Sequence, residues 1–178
     1  MQNHTGEGSE ARNLRFGGTA TGALLLIATT LVAVSGTYAQ ERSKRESVEF
    51  AACTSFENVE AFVMSFKDAV RERSCFKVAA LTRFPLRINF LRSAKRSRSI
   101  WNRTALCRYF PVIFNETMTE AVLKQNILDM AVGWRGLMFG HGYIWIQPLY
   151  VDPDATDPDD PTELRFTAAN VIERPPKK

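Results

Sequence analysis

Two apolar rhythms meet between residues 56 and 90, and together they limit what the chain can become. Phe56, Val59, Phe62, Val63, Phe66, Ala69 and Val70 recur at steps of three and four, with Glu57, Glu60, Lys67, Asp68, Arg71 and Glu72 falling mostly between them. That spacing draws one apolar stripe along a helix, which Thr54 or Ser55 can cap. A shorter helical stretch follows over 74–81. From Phe84 the period becomes two, because Phe84, Leu86, Ile88 and Phe90 alternate with Pro85, Arg87 and Asn89. This is the pattern of a strand buried on one face. Pro85 has no amide donor and therefore belongs at the start of that strand or at the edge of a sheet.

The later segments extend the same scheme. Residues 99–101 make a short second strand, Asn102 or Thr104 caps a helix through Ala105, Leu106, Tyr109 and Phe110, and Pro111 shortens or bends it. Thr117-Met118-Thr119-Glu120 has capping-box spacing and opens a further helix to about residue 131. GLMFGHGYIWIQPLYV, from Gly136, reads as two β-rich runs joined by Gly140-His141-Gly142, a turn that needs positive φ. Residues 152–163 form an acidic loop and 164–172 a last strand. Helices first and mostly antiparallel strands afterwards define an α+β domain whose curved sheet packs on its leading helices.

Ahead of this domain, Arg12 and Arg15 precede an uncharged run over 17–36 and then Thr37-Tyr38-Ala39. That order is a secretory signal over 1–39 cut after Ala39, which places the protein in the periplasm or outside the cell. The run is also long enough to span a bilayer, so an uncleaved inner-membrane anchor is the alternative. Residues 40–54 read as a linker or a frayed first helix, 55–173 as the domain and 174–178 as a disordered tail. Cys53, Cys75 and Cys107 all lie in the exported part, where one disulfide can form and one thiol is left over. Spacing does not say which pair closes, and a buried, inert free cysteine is the ordinary outcome.

The helix pair, FPLRIN, Arg-Tyr-Phe-Pro-Val-Ile-Phe-Asn at 108–115, RGLMFGHGYIWI at 135–146 and the late Asn170 together resemble exported bacterial NTF2-like, or cystatin-like, proteins. The similarity covers about residues 55–172, and the acidic insertion and the many arginines depart from it. The resemblance implies a cone-shaped fold with a pocket between sheet and helices. It implies no single reaction, since that architecture hosts enzymes and binding modules alike.

The residues themselves exclude several chemistries. Beyond residue 39 the only histidine is His141, and no C-x-x-C, P-loop, dinucleotide fingerprint or G-x-S-x-G occurs, so neither a metal nor a cofactor is expected. A pocket acid–base enzyme would need a buried carboxylate or histidine, for which Asp129 and His141 are the candidates and Asp68 a weaker one. From Arg73 to Asn115 there is no acidic residue and there are ten cations, Arg92, Lys95, Arg96 and Arg98 forming the densest group. Those four form a candidate surface for an acidic protein partner, although a hydrated face that deters sheet pairing is the plainer reading. Nucleic acid is disfavoured because only Trp101 interleaves with the cations. Arg87, Asn89, Arg135, Trp145 and Asn170 are the candidate residues for a small acidic ligand, a guanidinium fork and amides being suited to a carboxylate. The expected function is that of an exported, non-catalytic binding domain, with a cofactor-free pocket enzyme acting on a small apolar molecule as the alternative.

Overall fold

The computed structural model describes Tyr38 and residues 40–91, 97–140, 142–157 and 160–172. The apolar run 17–36, Ala39, the cations Arg92, Lys95 and Arg96, His141 and the tail 174–178 lie outside the described residues. From Gln40 onward the chain forms one compact unit. The stretch expected as a linker or frayed helix is helical over 40–52 (α1), and it buries Val48 and Ala52 fully. Those two apolar side chains, four residues apart on one side of the helix, hold it to the domain.

The apolar stripe of the sequence becomes α2, Phe56–Arg71, capped by Ser55, whose hydroxyl accepts the amide of Asn58. It is followed by α3 (Cys75–Ala80), β1 (Thr82–Phe90), β2 (Ser97–Ile100), α4 (Arg103–Ile113) and α5 (Glu116–Lys124). A single 3-10 turn, Ile127–Asp129, leads into β3 (Ala131–Gly133), β4 (Gly136–Phe139), β5 (Ile144–Tyr150) and β6 (Thr162–Val171). Two expectations shift here. The cap of α5 is Asn115, which accepts the amide of Met118, and the helix stops at Lys124 instead of continuing to residue 131. Asn115 follows the cap residue of α4, Phe114, so a side-chain acceptor is in place two residues before Thr117 is reached.

The strands form one six-stranded sheet in the order β2-β1-β6-β5-β4-β3. All neighbours are antiparallel except β1 and β6, which run parallel and bring the two ends of the domain together. β1 is therefore an interior strand, not an edge. Pro85 is tolerated because it falls in the irregular stretch between the Thr82↔Phe166 and Arg87↔Ala168 pairs, where no ladder bond is required of it. At the hairpin between β4 and β5, Gly140 and Gly142 take φ of +55° and +101°, as that turn demands.

One face of the sheet carries Leu86, Ile88, Leu137, Phe139, Ile144, Ile146, Phe166, Ala169 and Val171, all inaccessible to solvent. The helices close over it. Phe66 of α2 lies within 5.4–6.1 Å, centroid to centroid, of Phe62, Phe114, Phe139 and Phe166. Aromatic side chains of this size fill the space that a pocket between sheet and helices would need. The interior expected to be hollow is packed here.

A Cys75–Cys107 disulfide joins α3 to α4, and Cys53 is the free thiol. Contrary to expectation Cys53 is exposed, since it occupies the turn after α1 with a positive φ of 48°.

Candidate ligand cleft on the outer face of the sheet

Side chains alternate across a strand, so burying Leu86 and Ile88 turns Arg87 and Asn89 to the opposite face. The register carries that face across the sheet: Arg87 opposes Ala168, Ala168 opposes Trp145 and Trp145 opposes Met138, while Asn89 opposes Asn170. A bulge then enriches it. Trp145 and Ile146 of β5 are consecutive but face Ala168 and Phe166 of β6, so Thr167 is an extra residue and both Thr167 and Ala168 look outward. The result is a cleft of about 300 Å³ lined by Arg87, Asn89, Arg135, Trp145, Gln147, Thr167, Ala168 and Asn170.

All five residues singled out for a small acidic ligand line this one cleft. It lies on the face turned away from the helices, not between helices and sheet. Gln147, Thr167 and Ala168 complete the lining and lie outside the sequence expectation. Gln147 stands two positions beyond Trp145 and was accessible to the same alternation argument, whereas the bulge that admits Thr167 has no local sequence mark.

The amides form a directed relay. The Arg87 Nε–H donates to Asn89 Oδ1 at 3.1 Å, Asn89 Nδ2 donates to Asn170 Oδ1 at 2.8 Å, and Asn170 Nδ2 donates to the Gly142 carbonyl at 2.5 Å. Each side-chain oxygen in the relay already accepts one bond, and the terminal guanidinium nitrogens of Arg87 and the second hydrogens of the two amides are left to donate to a visitor. Among the described residues no carboxylate lines the cleft. Among the described residues neither Arg87 nor Arg135 takes part in an ion pair, Arg135 instead stacking over the Trp134 ring at 4.3 Å. The wall therefore offers donors and positive charge, with the half-buried Trp145 indole as its apolar element.

Other expected residues are engaged elsewhere. Arg98, on the helix side of β2, donates to the Tyr109 hydroxyl and lies over that ring at 5.1 Å. Asp129 is exposed and paired with Lys44 at 2.8 Å, and Asp68 is exposed and paired with Arg71. Neither carboxylate stands in a closed cavity. Lys67, part-buried at the end of α5, donates to the Gln125 carbonyl at 2.5 Å, and burial lowers its pKa, with Arg71 adding to the effect. It does not line the cleft, and its hydrogen bond ties α2 to the end of α5.

A wider depression of about 520 Å³ runs between α1 and β3 beside Phe50, Val132 and Trp134. Among the described residues its one charged wall residue, Glu46, is paired with Arg42 at 3.0 Å, and its other polar groups are Ser43 and Ser47 of the same helix. Among the described residues no three His, Cys, Asp or Glu side chains cluster to hold a metal ion, and no helix is long and apolar enough to cross a membrane. No protein-family model, curated protein or solved structure matches the chain.

Proposed function

We propose that this chain is an exported binding domain of NTF2-like architecture that holds a small acidic ligand in the cleft between Arg87 and Arg135, without catalysis and without a cofactor. The observation that carries the reading is a donor-rich concavity that, among the described residues, has two guanidiniums outside any ion pair and no carboxylate on its wall. Two like charges facing one cleft repel each other, and an anion placed between them relieves that repulsion while forming charge-assisted hydrogen bonds. A volume near 300 Å³ suits a small molecule better than a protein segment. The helix-first order and the mostly antiparallel sheet support the NTF2-like reading, with the ligand site moved from the interior to the outer face. The Cys75–Cys107 bridge supports an oxidising compartment, and so supports export of the residues from Gln40 onward. Retention of the run 17–36 as an inner-membrane anchor would change where the domain is held and leave the cleft as it is.

The acid–base alternative loses its support from Asp129, which stands in water beside Lys44.

Calorimetric titration with benzoate and benzenedicarboxylates tests the proposal. Binding should weaken as salt rises, and Arg87→Ala should lower the affinity about tenfold or more, the usual effect of losing a hydrogen bond to a charged group. Failure of every acid in the panel to bind, or an affinity indifferent to Arg87→Ala, would overturn it.

A further inference from the structure

We infer that the ligand of this cleft is a two-ended anion: a compact molecule with one acidic group at Arg87, a second at Arg135, and a flat apolar body over Trp145. The inference rests on the ligand reading above and names the class of molecule. Its basis is the register. Arg87, Ala168, Trp145 and Met138 form one row across four adjacent strands, so the backbone positions on β1 and β4 stand about three strand spacings, or roughly 14 Å, apart. Arg135 directly precedes β4. Arg87 thus enters from β1 and Arg135 from the turn before β4, with β6 and β5 between the two strands, yet they line the same cleft.

One carboxylate satisfies one guanidinium fork. A ligand with a single charge therefore leaves the other end of the cleft uncompensated, whereas two acidic groups neutralise both ends. Between the ends the floor is Trp145 and Ala168, an indole face and a methyl group, with Thr167 and Gln147 beside them. That middle offers contact area and no charge. It favours an aromatic or unsaturated body over a polyhydroxylated one, since an indole stacks well on flat carbon frameworks. The support at the two ends also differs. Arg87 is fixed through Asn89 and Asn170 to the Gly142 carbonyl, while Arg135 is positioned by its stack on Trp134. Arg87 is the fixed end and Arg135 the adjustable one, which suits the site to diacids of slightly different length.

The test compares isophthalate, terephthalate and 1,4-phenylenediacetate with monomethyl isophthalate, which keeps the ring and removes one charge. Inorganic phosphate and a synthetic peptide of residues 152–163 complete the panel. The best diacid should bind the full chain at least tenfold more tightly than the monoester. Arg135→Ala should collapse that ratio toward one without weakening the monoester, and Arg87→Ala should weaken both. Equal affinity of diacid and monoester would overturn the two-ended reading while leaving an acidic-ligand site standing. Phosphate matching the best diacid would do the same, by placing both charges at one point. A peptide that outcompetes every diacid would overturn it in favour of an acidic protein segment. Should the alanine variants fail to fold, Arg135→Gln with the same diacid-to-monoester ratio decides the matter.

Discussion

Gly136 shows how tightly single positions control the cleft. A Cβ there would meet the Ile146 carbonyl oxygen at 2.2 Å, and its φ of +115° is one that side-chain-bearing residues rarely adopt. The closeness lets β4 start hard against β5 and delivers Arg135, one residue earlier, to the cleft wall. Gly136→Ala should therefore destabilise the fold by at least about 2 kcal/mol, read as a shift in the urea midpoint, because backbone atoms rather than a flexible side chain must give way. Any purified variant should also bind acids less well, through displacement of Arg135. At this scale much of the site was readable. Arg87 and Asn89 follow from strict alternation along FPLRIN, and Trp145 from the same rule along YIWIQ. The partner of Asn89 was not readable, because the Asn89 to Asn170 hydrogen bond joins residues 81 positions apart.

Among the elements, α2 and β1 declare themselves through period, and the Gly140 to Gly142 turn through composition. The α4–α5 junction does not. Its capping-box spelling at Thr117 is genuine, yet Asn115 takes the role because α4 ends at Ile113 and only its cap, Phe114, intervenes. Asn115 has a second duty, its Nδ2 donating to the Ile172 carbonyl after β6 at 3.4 Å. Asn115→Ala should cost about 1–2 kcal/mol, the larger part from the lost cap. Thermal denaturation followed by circular dichroism is the measurement, and Asn115→Asp, which keeps the cap acceptor, should recover most of the loss.

For the molecule as a whole, the decisive fact is which side of the sheet is full. Period and composition established that helices would cover strands, but they do not measure the volume between the layers, which depends on how Phe62, Phe66, Phe114, Phe139 and Phe166 meet across distant segments. The parallel pairing of β1 with β6 is equally non-local and left no trace in any window of sequence. A filled interior makes a firm demand: Phe66→Ala should remove about 3–5 kcal/mol, measured by urea unfolding, where the wall of a hollow pocket would tolerate the change.

The Cys75–Cys107 bridge has a further consequence, because the cation-dense sequence from Arg92 to Arg98 lies inside the covalent ring that it closes. A protease that severs the backbone after Lys95, Arg96 or Arg98 would release no fragment. The severed pieces would migrate as one species until a reductant parts them, so cleavage on this side of the protein stays silent for as long as its surroundings remain oxidising.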